Sequence, residues 1–225
     1  MTDDASSPRR GRPPRGATRL TRESIIEATL EVVDADGIDA VSMRTVARTL
    51  GVDAKSLYNH VRGKDDLLDA VAEQLLGGLV FPALTGDLRG DLRAIAYGFR
   101  QGALLHPAAA PLVLTRQLSS WEGLAPVEAV VGVLLRAGCP PDEAVHLLRT
   151  LAAMLIGTLL REVSAGPTFG VDDGIAARRE ALERSGLPAI GEVGAHLARF
   201  DREVEFAFTV DLAIDAVAAR LSASR

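Results

Sequence analysis

The chain is short of cysteine, of aromatic residues and of paired histidines, and each shortage removes a class of protein. Of 225 residues one is cysteine, Cys139, which excludes an internal disulfide and a cysteine-based zinc site. Its position between Gly138 and Pro140 reads as a helix end with an inert buried thiol, the alternative being a redox switch. Aromatics are 4% of the chain, while Ala and Leu abound, which favours helices over a sandwich or barrel. No uninterrupted apolar run reaches about 18 residues, which argues against a membrane span and a membrane partner. The opening MTDDASSPRRGRPPRG has no apolar core and cannot serve as a secretory signal, so a cytoplasmic location is expected. His60, His106, His146 and His196 stand at no metal-ligand spacing. GxSxG, Walker and GxGxxG motifs are missing. The sequence therefore predicts no enzyme, no metal and no cofactor.

What is present is 48% hydrophobic content in a chain long enough for a full core and two domains. The net charge of −5 is unevenly spread. Residues 1–64 carry 11 basic and 9 acidic side chains, a balance of +2, whereas the remainder carries 14 and 21, a balance of −7. Residues 8–22 hold six arginines and no acid. Positive charge is thus concentrated in one part, where it would attract phosphates, and the acidic remainder would discourage indiscriminate binding.

The stretch MRTVARTLGVDAKSLYNHVRGKDDLLDAV, residues 43–71, has the plan of a helix-turn-helix. Ser42 can cap the first helix. Val46, Ala47 and Leu50 share one face of it, and Gly51 ends it where a left-handed residue is needed. The second helix starts at Asp53 and is expected to run to about His60, with Leu57 and Val61 inward. Its outer face presents Lys55, Ser56, Tyr58, Asn59 and His60, able to bond phosphates or base edges. Lys64 precedes Asp65 and Asp66, acids that favour the positive end of the next helix dipole, and is placed for a phosphate contact. Upstream, Thr21 caps a supporting helix with Ile26, Leu30 and Val33 on one stripe, ended by Gly37.

The signature G-I-x-A-V-S-x-R-x-V-A-x-x-L-G-V, then S-L-Y-x-H-V, then K-x-x-L-L-D, resembles the N-terminal domain of the tetracycline-repressor (TetR) family of bacterial transcriptional regulators. The resemblance implies DNA contacts at Arg44, Lys55, Ser56, Tyr58, Asn59, His60 and Lys64. Among these Tyr58 and Lys64 match phosphate contacts, and Arg44 with the start of the recognition helix matches base or groove contacts. Ala54, Lys55 and Asn59 depart from the tetracycline repressor itself, which points to a different operator. The expected organisation is all-α: an Arg-rich disordered arm over 1–19, a helix-turn-helix head over 20–66, and a helical ligand-binding and dimerisation body over 67–225. The arm's GRP core resembles minor-groove hooks; the alternative is a tail giving only non-specific attraction.

The body reads as helices divided by Pro and Gly: KDDLLDAVAEQLLGGLV, GDLRGDLRAIAYGFRQGALLHP, a piece within AAAPLVLTRQL, EGLAPVEAVVGVLLRAG, PDEAVHLLRTLAAMLIGTLLREVS, a charged piece IAARREALERSG, and DREVEFAFTVDLAIDAVAARL. Segments 142–164 and 203–221 are too hydrophobic for one buried face each. By resemblance they pair across a two-fold axis, so that a homodimer reads a palindromic operator in double-stranded DNA. The resemblance also implies a small-molecule effector site among 88–106, 122–137 and 142–164, with Phe99, His106, Arg116, Trp121, His146, Thr150 and Met154 as candidate lining. Leu112 or Val113 and Arg161 stand where the tetracycline repressor has its magnesium-holding histidine and glutamate, so the expected effector is a hydrophobic or aromatic molecule, not tetracycline–magnesium. Its binding would release the operator. The rival readings are an architectural DNA binder without inducer and a helical-bundle enzyme carrying a DNA-binding head.

Overall fold

The computed structural model describes residues 20–116, 121–164 and 174–223. The Arg-rich arm over 1–19 lies outside them. The described residues form eleven α-helices and no strand.

Local chemistry starts the head. Helix α1, Arg22–Asp36, opens on a reciprocal cap: the Ser24 amide donates to the Thr21 hydroxyl at 3.2 Å, and the Thr21 amide donates to the Ser24 hydroxyl at 3.1 Å. A 3-10 turn over Ile38–Ala40 leads to α2, Met43–Leu50, which repeats the device with Ser42 and Thr45. Each cap satisfies amides that a helix start leaves unpaired. Gly51, at φ 67° and ψ 29°, closes α2 in the left-handed region, which a side chain would resist. Helix α3, Ala54–Leu57, begins at Asp53, whose carboxylate accepts the Lys55 amide at 2.7 Å.

The recognition helix is shorter than its sequence pattern predicts. Beyond Leu57 the chain continues as a tight turn, with the Asn59 amide on Ser56 O at 3.3 Å and the His60 amide on Leu57 O at 2.9 Å. This tightening lets both Leu57 and Val61 sink to full burial. Gly63, at φ 156° and ψ −166°, then redirects the chain into α4, Lys64–Gly77.

One core unites these helices: Ile25, Val33, Val46, Leu57 and Leu67 have no exposed surface. Each such side chain contributes about 1.5–3 kcal/mol by leaving water. Helix α4 crosses the expected boundary at residue 66. Leu67, Leu68, Val71 and Ala72 belong to the head's core, while Leu76 reaches the body.

The body comprises α5 Leu88–Leu105, α6 Ala110–Thr115, a 3-10 turn Glu122–Leu124, α7 Ala125–Arg136, α8 Pro141–Ser164, α9 Gly174–Glu183, α10 Pro188–Leu197 and α11 Arg202–Ala223. Its core centres on Leu134, Leu159, Phe206 and Ile214. Cys139 is buried there, and burial pushes its thiol pKa up. Glu162, also buried, is held by Arg100 of α5 at 2.7 Å, and Arg100 also pairs with Glu203 and lies over the Phe206 ring. This cluster ties α5, α8 and α11 together.

The sequence pattern anticipates every helix of the body except α10, because residues 166–200 read as Gly- and Pro-rich with one charged helical piece. Pro188 occupies the first turn, where its missing N–H costs nothing. A side chain at Gly194 would bring its Cβ to 3.3 Å from that of Leu182 on α9. Close packing on α9 thus outweighs the helix cost of glycine.

By length and composition Pro141–Val163 could cross a membrane, although no uninterrupted apolar run shows it. It packs instead against α5, α6, α7 and α11. Only 11% of its most apolar window is buried, so an apolar surface remains uncovered. Helix α11 shows the same condition: Phe206, Val210, Ile214 and Val217 are buried, whereas Val204, Phe208 and Leu212 are exposed.

Candidate DNA-reading head and effector cavity

The seven candidate DNA residues fall between the start of α2 and the start of α4, and none of them is buried. Arg44 projects from the first turn of α2, with Lys55 and Ser56 on α3; Tyr58 and Asn59 are exposed on the turn that follows. The Ser56 hydroxyl is engaged by Asp53 O, and Lys64 Nζ reaches Asp39 O at 3.4 Å. The recognition turn is braced from behind. Arg22 Nη1 donates to His60 O at 3.2 Å and Nη2 lies 3.6 Å from Asp66, whose other oxygen accepts the Arg62 amide at 2.9 Å. That amide, first among its partners, holds the Asp66 carboxyl below its usual pKa. Arg62, not among the sequence candidates, is 91% exposed beside this turn; its place next to the recognition segment is the signal that marks it.

Beside α4, helices α5, α6, α7, α8 and α11 line an open cavity of about 260 Å³. Its wall is apolar, with Ile95, Val130, Leu151 and Leu155 representative, and Leu76 at the end of α4 joins it. Of the sequence candidates, Phe99, Arg116 and Met154 line it. The other four stand elsewhere. His106 closes the joint between head and body, its Nδ1 2.7 Å from Asp34 Oδ2 on α1. Trp121 is 86% exposed. His146 and Thr150 lie on the outer face of α8, the Thr150 hydroxyl donating to His146 O at 3.0 Å. Both border a polar hollow with Asp142, Glu143 and Arg220. Thr209, unpredicted, adds a hydroxyl to the cavity, and bonds Thr158 at 3.3 Å.

Arg116 connects cavity and head. It follows α6 on the cavity wall, and its guanidinium pairs with Asp69, and with Asp65 at 3.2 Å, in the first two turns of α4. Asp65 and Asp69 stand one helical turn apart on α4, so both reach the one guanidinium. No cluster of His, Cys, Asp and Glu among the described residues could hold a metal ion.

The chain matches the family model described as bacterial regulatory proteins, tetR family, over residues 25–71, and the tetracyclin repressor-like C-terminal domain over residues 81–221. It is 32% identical to an HTH-type transcriptional regulator of Saccharopolyspora erythraea, over 83% of this chain and 82% of that protein. It is 29% identical to the tetracycline repressor protein class A from transposon 1721 of Escherichia coli, covering 80% and 86%. Among solved structures, ActR of Streptomyces coelicolor in complex with (S)-DNPA superposes with a TM-score of 0.79 over 91% of this chain and all of that one; at 22% identity this shows the fold. A possible TetR family transcriptional regulator from Streptomyces coelicolor A3(2), 27% identical, gives 0.76 over 88% and 98%.

Proposed function

The chain belongs to the tetR family of bacterial regulatory proteins, and from that premise we propose that it is a cytoplasmic homodimeric repressor, released from a palindromic operator when a hydrophobic or aromatic molecule enters the body cavity. It is a DNA-binding transcriptional regulator; the operator, the dimer and the effector are the proposal. The observation that carries it is the path from cavity to head: one side chain, Arg116, lines the cavity and grips the start of α4 behind the recognition turn.

Dimerisation is supported by what α8 and α11 leave uncovered. Phe208, Leu212, Ala216 and Ala219 form an exposed stripe on α11, and Ala153 and Gly157 leave a shallow exposed groove on α8. A two-fold pairing of these faces seats large residues against small ones and spaces two heads for two half-sites. The effector acts by preferring one head separation, shifting a two-state population. The cavity serves binding without turnover, since apolar walls offer no acid–base pair.

The DNA roles follow by resemblance and position: Tyr58 and Lys64 touch phosphates, Arg44 with Lys55 and Ser56 at the start of α3 meets bases or the groove, Asn59 bears on sequence preference, and His60 lies beside them. In gel-shift titrations Tyr58→Phe and Lys64→Ala should weaken operator and random DNA alike, whereas Arg44→Ala and Asn59→Ala should change sequence preference, by roughly tenfold at the affected base pair. Wild-type binding by both kinds of variant would refute the assignment.

A further inference from the structure

The cavity's polar inventory narrows the effector further. Among the described lining residues Arg116 is the sole charged group, and Thr209 alone adds a hydroxyl. We propose that the effector is an apolar organic acid, whose carboxylate takes Arg116 in exchange for the acids of α4. This rests on reading the cavity as the effector site.

A guanidinium on an apolar wall is stable only while paired. Here its partners lie outside the cavity. Nη1 donates to Asp69 and, at 3.3 Å, to Asp65 O, while Nη2 donates to Asp65 Oδ1 at 3.2 Å. Nε has no partner among the described residues, so a donor remains for an incoming acceptor. The two existing partners differ in strength. Asp65 is 91% exposed, and a solvated pair of that kind contributes little; Asp69 is 40% exposed and is the main competitor.

A carboxylate delivered on a hydrocarbon body that fills the cavity meets Arg116 at the apolar wall, where part of the surrounding water is displaced. There the charge-assisted pair is stronger than in solvent. An apolar cation would be repelled, and a neutral molecule would fill the volume without gaining this pair. Capture also has a consequence for DNA. Asp65 adjoins Lys64 at the start of α4, so drawing Arg116 toward the cavity loosens the element that aligns the head.

The test uses the full-length protein with decanoate and decanol, equal in chain length and different in charge, titrated calorimetrically at neutral pH. Decanoate is expected to bind about tenfold more tightly than decanol. Arg116→Met should erase that preference while keeping decanol binding, and Arg116→Lys should retain part of it. Asp69→Asn, which frees Arg116 without touching the cavity, should raise decanoate affinity several-fold and leave decanol unchanged; it carries the test if Arg116→Met fails to fold. Equal affinities in the wild type, a preference surviving in Arg116→Met, or no gain in Asp69→Asn overturns the acid assignment alone. Ala152→Trp, which fills the cavity, separates the underlying reading. It should abolish binding of both compounds, and decanol binding that survives it, or binding of neither compound by the wild type, overturns the cavity as the effector site and the acid assignment with it.

Discussion

Single residues set the head by chemistry that reaches only three or four positions along the chain. Ser42 and Thr45 satisfy each other's amides, so Ser42→Ala should cost about 1 kcal/mol of stability, seen as a lower midpoint in urea unfolding with an unchanged slope. Asp91 does similar work in the body. Buried at the start of α5, its carboxylate accepts from the Thr85 amide at 2.8 Å, the Thr85 hydroxyl at 2.9 Å and the Gly86 amide at 2.9 Å. These bonds, the Thr85 amide first, hold its pKa below the ordinary carboxylate value. A depressed folded pKa means stability that is complete above the unfolded value of about 3.9 and lost as pH falls through the folded one. Asp91→Asn should therefore lower the urea midpoint at neutral pH, with the gap to wild type narrowing below about pH 4. The caps and Gly51 were legible in the sequence because their partners are near neighbours. His106 was not: it was a candidate for the cavity, yet its partner Asp34 lies 72 residues away on α1, and no local pattern encodes that meeting.

At the scale of elements, periodicity identified helices well and their packing poorly. The stripes of α1 and α2 predict their share of the head's core, since a helix buries one face and the pattern records which; the share of α4, placed in the body by the sequence boundary at 66, was not read. Helix α3 is short because burial of Leu57 and Val61 tightens its end, a demand made by neighbours. The same limit holds for α8 and α11, whose excess apolar surface was readable while its division between core and outer face was not. That division yields a prediction. Phe208 is 66% exposed and Leu212 52%, so Phe208→Glu or Leu212→Glu should leave each protomer folded by circular dichroism. Light scattering should then report a monomer in place of a dimer, with operator affinity reduced at least tenfold as the second half-site is lost. A dimer persisting in both variants would move the interface elsewhere.

For the whole molecule, charge distribution bears on approach to DNA, and the junction between head and body bears on the proposed response. The arm over 1–19, outside the described residues, carries five arginines and two acids. Deleting it should weaken operator binding at low salt and reduce the slope of log affinity against log salt by about one for every phosphate contact it makes. Loss confined to A·T-rich flanks would favour a minor-groove hook, and uniform loss a non-specific attraction. The junction consists of His106 with Asp34 and Arg116 with Asp65 and Asp69. Beside it, α4 packs on α1, α6 and α7, so under the proposed function these contacts and the junction are the routes from body to head.

The sequence by itself determined the helical class, the head, its outward polar face and the family, because these depend on periodicity, caps and glycine turns within short windows of chain. The tertiary structure alone decided which candidates meet at the cavity. Phe99, Arg116 and Met154 come together from three elements, whereas His146, Thr150 and Trp121 turn outward. Helical spacing states which residues share a face, but the cavity is where five helices turn faces toward one another. Their crossing is fixed by the burial of Leu134, Leu159, Phe206 and Ile214, residues distant in the chain, and that collective packing is what no local pattern contains.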